Sequence, residues 1–79
     1  MANPLAELRR RTSQRERLQL ALAVLEEGLV FFENIAKRAP LSDTEEQQRA
    51  ELEYQHGRVT ASIAETEQRL QTLKGADRG

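Results

Sequence analysis

Apolar residues recur along the chain at helical spacing, most densely between Leu18 and Ala36. One series follows alternating steps of four and three residues, which defines a heptad seam, and a second series with the same steps lies beside it. The first seam contains Leu18, Leu22, Leu25, Leu29, Phe32 and Ala36, and the second contains Ala21, Val24, Gly28, Phe31 and Ile35. A helix with two neighbouring apolar seams needs packing partners on more than one side.

Capping signals predict two long helices. Asn is a favoured N-cap and Pro suits the first helical position, so Asn3 and Pro4 predict a first helix over about 4–38. Pro40 stops that helix and predicts a turn over 39–42. Ser42 and Glu45 have the spacing of a capping box, which predicts a second helix over about 43–73. Lys74 and Gly75 then form a stop signal, with a frayed tail over 75–79.

The second helix carries its own seam, consisting of Leu52, His56, Val59, Ile63, Thr66, Leu70 and Leu73. Because the turn is short, the two helices should lie antiparallel as a hairpin. The two seams then meet in register, with Leu29 opposite Leu52, Leu25 opposite His56, Leu22 opposite Val59, Leu18 opposite Ile63 and, towards the chain ends, Leu8 opposite Leu73. The predicted fold is an all-α, coiled-coil-like antiparallel helical hairpin that forms a single domain over residues 1–79.

A second stripe on helix 2 is nearly all small, comprising Ala50, Tyr54, Gly57, Ala61 and Ala64. We expect a second copy to insert its large helix 1 side chains there, giving a dimeric four-helix bundle. A mid-helix glycine costs about 1 kcal/mol relative to Ala, so Gly28 suggests a close backbone contact between copies. The predicted dimer interface contains Val24, Gly28, Phe31, Ile35, Tyr54, Gly57 and Ala61.

Composition supports assembly. The chain has 79 residues and no Cys, and cores below about 70–80 residues usually need disulfides, metal or oligomerisation. Glu26, Glu27 and Glu33 interrupt the apolar run and argue against a membrane span. The net charge of -1 argues against general nucleic-acid binding, and no secretory signal is visible, so we expect a cytoplasmic protein.

Five arginines lie within the segment 9–17, against one carboxylate, Glu16. They fit a basic patch for an acidic partner or for RNA. The alternative is that they pair within the hairpin with Glu65 and Glu67 while their stems cover apolar surface. The partner-binding candidates are Arg9, Arg10, Arg15 and Arg17.

Glu53 and His56 form a Glu-x-x-His pattern of the kind found in di-iron four-helix proteins, with Glu26 or Glu27 as further ligands. The alternative is a partly buried imidazole bonded to a nearby carboxylate, which we favour. We expect no cofactor and no catalysis, because no nucleophile has a local base arrangement. Core positions are favoured for Phe31 and Phe32, although either could form an exposed anchor.

The Arg/Gln/Leu-rich segment from Arg15 to Leu22, the short loop and the Gln/Glu-rich second helix resemble the helical-hairpin co-chaperones of type III secretion needle subunits. That resemblance implies protein partners and no catalytic activity. The architecture is also similar to that of a plasmid copy-number regulator, a hairpin dimer that binds paired RNA loops.

The predicted function is therefore non-catalytic binding of a partner protein, as an inhibitor, adaptor or co-chaperone. The homodimer would occlude a helix-binding groove on its partner or meet an acidic surface. An RNA-binding hairpin dimer and a metal-binding four-helix bundle are the alternatives.

Overall fold

The computed structural model describes residues 3–77, which form two helices joined by a short turn. Helix α1 spans Pro4–Arg38 and helix α2 spans Asp43–Asp77, each with 35 residues. They pack along their full length as an antiparallel hairpin with extents of 57 × 17 × 15 Å. A helix rises about 1.5 Å per residue, so the long dimension is set by the helices themselves. The predicted all-α helical hairpin is confirmed.

The helix starts follow the predicted capping chemistry. The Asn3 side chain accepts a hydrogen bond from the Leu5 N–H at 3.0 Å, with Pro4 at the first helical position. At the second start, the Glu45 N–H donates to Ser42 Oγ at 3.2 Å. The Ser42 N–H in turn donates to the Glu45 carboxylate at 2.9 Å, which completes the capping box.

The first helix ends where the sequence predicts, but the second continues further. Ala39, which precedes Pro40, has an extended backbone that ends α1 at Arg38. The predicted end of α2 at Leu73 is wrong, because the helix runs through Lys74 and Gly75 to Asp77. No described glycine adopts positive φ, so Gly75 does not form the left-handed cap that its position suggested. The rest of the predicted tail, residues 78 and 79, lies outside the described part.

The hairpin core follows the two main seams. All seven seam residues of α2 are buried or half-buried, as are those of α1 except Ala36. The most deeply enclosed are Leu25, Phe32, Thr66, Leu70 and Leu73. The core is therefore one side chain thick and runs the length of the molecule.

Contacts across the interface fit the predicted register. Gly28 of α1 packs against Leu52 of α2, one residue from the predicted Leu29 partner. Glu26 lies beside His56, one residue from the predicted Leu25. At the open end, Leu8 and Leu73 line the same small cavity, as their predicted pairing requires.

Candidate functional site

Large hydrophobic side chains remain uncovered on one face of α1. Leu20 is 70% exposed, Val24 67% and Phe31 59%. Steps of four and seven residues place all three on one side of the helix. Val30, at 51% exposure, lies at the edge of this face. We call Leu20, Val24, Val30 and Phe31 the α1 apolar face.

The two neighbouring phenylalanines have different environments. Phe32 is 8% exposed and lies in the core, whereas Phe31 points outward. Their rings meet edge to face, with centroids 5.6 Å apart and an interplanar angle of 74°. The core position favoured for both residues is confirmed for Phe32, whereas Phe31 lies outside the core of the hairpin, on the side assigned to the dimer interface. Packing against Phe32 holds the Phe31 ring in place at the surface.

Helix α2 contributes polar side chains beside the α1 apolar face. Ala21 and Val24 of α1 share a shallow groove with Gln55, Arg58 and Ser62 of α2. Leu25 and Val59 line the same groove, so polar side chains of α2 lie beside apolar ones from both helices. Such an arrangement is typical of an interaction patch, where an apolar centre is bordered by polar groups.

The structure gives Gly28 a role within the hairpin. A Cβ atom at this position would lie 3.0 Å from Leu52 Cδ1 of the same chain. The close approach that the sequence suggested between two copies is therefore already made between α1 and α2. This contact explains the glycine without a second molecule. Ile35, the other half-buried member of the predicted interface, also lies partly within the hairpin.

The small stripe of α2 is open to solvent. Gly57 and Ala61 are exposed, and a Cβ at Gly57 would meet no atom within 4 Å. Tyr54 is 62% exposed, and the Arg58 guanidinium lies over its ring at 5.9 Å from the centroid. This stripe offers room for another helix but little large apolar surface.

The arginine cluster divides between the hairpin interface and the surface. Arg11 and Arg15 are half-buried, and their Nε atoms are enclosed without a hydrogen-bond partner, so their stems cover the core. Arg9, Arg10 and Arg17 are exposed, and no described carboxylate lies within ion-pair distance of them. The predicted pairing with Glu65 and Glu67 is not formed in the described part of the chain.

One ion pair ties the two ends of the chain together. Arg69 Nε donates to Glu7 Oε1 at 2.9 Å, and Arg11 Nε lies 3.9 Å from the same oxygen. The hydrogen bond from Arg69 holds the pKa of Glu7 below its ordinary value of 4.5. Partial desolvation acts to raise this pKa, but the positive charges of Arg69, Arg11 and Arg10 reinforce the hydrogen bond in lowering it. The same hydrogen bond raises the pKa of Arg69.

The Glu-x-x-His pair is split between two contacts. His56 Nε2 lies 3.3 Å from Glu26 Oε1 across the hairpin, with its side chain 34% exposed. Glu53 instead lies 4.0 Å from Arg49 on its own helix. The partly buried imidazole bonded to a carboxylate is confirmed. Among the side chains that the structure describes, in residues 3–75, no group of three or more potential metal ligands comes together.

Sequence reasoning missed two members of the α1 apolar face. Leu20 and Val30 belong to neither predicted seam, although Leu20 precedes Val24 by four residues and Phe31 by eleven. A step of four residues back from Val24, in place of the step of three to Ala21, would have found Leu20. Neither described helix has a stretch that is both long and apolar enough to cross a bilayer.

Compared with protein-family models, curated proteins and solved structures, the chain matches none.

Proposed function

We propose that this chain is a non-catalytic protein-binding module that acts as a homodimer on a partner protein, as an inhibitor, adaptor or co-chaperone. The exposure of Leu20, Val24 and Phe31 on one face of α1 carries the proposal. Fully burying a side chain of this kind is worth about 1.5–3 kcal/mol. Association that covers this face is therefore favourable, whether with a second copy or with another protein.

The thin core supports dimerisation into a four-helix bundle. Of the described residues, Leu25, Phe32, Leu70 and Leu73 are the only hydrophobic side chains that the hairpin buries deeply. A single core of this size supplies about 3–5 kcal/mol at most, and no disulfide adds to it. A second copy would supply the missing burial.

The exposed arginines support an acidic partner surface. Arg9, Arg10 and Arg17 are exposed and form no ion pair within the described hairpin, and the exposed Lys74 lies at the same end of the molecule. Concentrated charge of one sign speeds encounters with a surface of opposite sign. We place partner recognition at this end, with Arg15 contributing its stem to the hairpin core.

Affinity capture from the native host tests the proposal when it compares matched variants. Phe31→Ser removes the largest exposed side chain of the apolar face, and a double Arg9→Ser, Arg10→Ser variant removes two exposed charges. Gln68→Ser, an exposed change on α2, serves as the control. We expect one protein to be retained by wild type and control and lost by either test variant. Equal capture by all four proteins would refute the assignment.

The same variants separate this function from RNA binding. Retention on RNA that falls steeply with salt, and that depends on Arg9 and Arg10 but not on Phe31, would identify a nucleic-acid-binding hairpin instead. Protein capture that depends on Phe31 supports the proposal.

A further inference from the structure

Exposed apolar surface is concentrated in a short segment of α1. Among the described residues, four of the large exposed hydrophobic side chains, Leu20, Val24, Val30 and Phe31, lie within about three turns of helix. Leu5 lies apart from them at the start of α1, and Tyr54 is the single large exposed hydrophobic residue of α2. An occupant that covers this segment must present apolar side chains over a similar length. Helix α1 of another copy has that surface, because a face that is apolar can pack on itself around a two-fold axis.

We propose that two copies associate through α1 packed antiparallel on α1, with Leu20 of each copy against Phe31 of the other. This inference rests on the proposed function, and it specifies which surfaces form the dimer. The α1–α1 arrangement replaces the earlier prediction, in which the large side chains of α1 insert into the small stripe of α2. Packing on the small stripe would leave part of the α1 apolar face uncovered.

The heptad positions select one register. Leu20, Val24, Glu27 and Phe31 follow steps of four and three residues and form the centre of the contact, and Arg17 and Asn34 lie at its two ends. With Leu20 opposite Phe31, Val24 lies opposite Glu27 in each half of the two-fold interface. The flanking positions then place Ala23 opposite Val30. All four members of the α1 apolar face are covered in this arrangement.

Charge favours the same register. The next flanking pair brings Glu16 of one copy opposite Lys37 of the other, and both residues are exposed in the hairpin. Two-fold symmetry makes this opposite-charge pair twice. A shift of one heptad in one direction brings Leu20 opposite Val24 and Arg17 opposite Glu27. It also places Phe31 opposite Ser13, Val30 opposite Glu16 and Arg9 opposite Lys37, so two of the four apolar side chains lose their apolar partners and like charges meet. A shift in the other direction places Phe31 opposite Glu27 and likewise loses the contact between Leu20 and Phe31.

Disulfide trapping tests the register, because the chain has no cysteine of its own. In an Ala23→Cys, Val30→Cys double variant, each thiol lies opposite its counterpart in the second copy, while the two thiols of one chain are two turns apart. We expect mild oxidation to convert most of this protein to a covalent dimer. The control is Tyr54→Cys, Ala61→Cys, which has the same seven-residue spacing on the exposed face of α2, and we expect at least tenfold slower cross-linking.

Charge reversal provides a second, non-covalent readout. Glu16→Lys and Lys37→Glu should each weaken dimerisation about fivefold to tenfold in sedimentation equilibrium, since each places like charges together twice. Combining the two reversals should restore wild-type affinity, which a merely local effect of either change would not do.

Each remaining outcome overturns the inference in a distinct way. Faster cross-linking of the α2 control would place α2 in the interface. A protein that is dimeric by light scattering but gives neither cross-linking nor charge-reversal rescue would refute this register and leave the proposed function standing. A wild-type protein with the molar mass of one 9.0 kDa chain at every concentration would refute the dimer in both proposals.

Discussion

At the scale of single residues, Glu7 connects the beginning of α1 to the end of α2. Its side chain is 14% exposed, and its carboxylate accepts the 2.9 Å hydrogen bond from Arg69. Helix ends unfold locally more readily than helix centres. This contact therefore stabilises the part of the hairpin that is most prone to fray. The lowered pKa of Glu7 shows that the folded chain favours its charged form.

We predict that Glu7→Gln lowers the melting temperature at neutral pH and that this difference disappears in acid. The pKa of Glu7 in the folded chain lies below its ordinary value of 4.5. The ionised carboxylate therefore contributes its full stabilisation wherever the pH is well above 4.5. It is lost as the pH falls through the lower, folded-state pKa. Thermal unfolding followed by circular dichroism from about pH 7 to about pH 2 measures the effect. Glu67→Gln is the control, and a difference that persists at the lowest pH would contradict the prediction.

The two mid-helix glycines provide a second test at this scale. Gly57→Ala should stabilise the hairpin by about 1 kcal/mol, because alanine favours the helix and its Cβ meets open space. Gly28→Ala should gain less, because its Cβ would lie 3.0 Å from Leu52 Cδ1 and the leucine must shift. Urea unfolding at one fixed protein concentration compares the two variants. An equal gain at both positions would show that Leu52 moves without cost.

At the scale of the helices, hydrogen-bonded caps make the boundaries predictable. Asn3 with Pro4, and Ser42 with Glu45, are local signals, because each cap satisfies backbone groups within four residues of itself. The end of α2 could not be predicted in this way. Gly75 remains helical and does not adopt the left-handed conformation of a C-terminal cap. Glycine favours that conformation after a helix but does not require it.

Loss of the Ser42 hydroxyl should destabilise the start of α2. Ser42→Ala removes the acceptor for the Glu45 N–H, and we expect a cost of about 1 kcal/mol, equivalent to about 4–8 °C in melting temperature. Ser42→Thr keeps a hydroxyl in the same place and is the matched control. Thermal unfolding of the three proteins measures the difference. If alanine and threonine behave alike, the cap does not contribute to stability.

The candidate site was less predictable than the helices. The seam pattern identifies Val24 and Phe31 as additional apolar positions. Periodicity alone does not decide which of the two adjacent seams α2 covers and which remains exposed. Phe31 and Phe32 are about 100° apart on the helix, and only the position of α2 decides that Phe32 is enclosed. Gly28 shows the same limit, because its contact with Leu52 depends on the distance between the helices.

At the scale of the whole molecule, the hairpin is long and thin. Extents of 57 × 17 × 15 Å leave no second layer of side chains beneath the surface. The exposed apolar face of α1 lies near the middle of this length, away from the fraying ends, and the exposed arginines lie towards the open end. In our proposal the α1 apolar face forms the dimer and the exposed arginines recognise the partner. A change in the arginines should therefore leave the dimer intact, whereas Phe31→Ser should weaken both the dimer and partner capture.

Folding and dimerisation should consequently be coupled. If the second copy binds only the folded hairpin, the melting temperature of wild type must rise with protein concentration by mass action. Val24→Ser should lower the melting temperature and remove this dependence, because it places a polar group at the centre of the α1 apolar face. Gln68→Ser should keep it. Circular dichroism melts over about a hundredfold range of concentration measure the effect. A wild-type melting temperature that is constant over this range would mean that the hairpin is stable by itself, and that its exposed α1 face is reserved for a different protein.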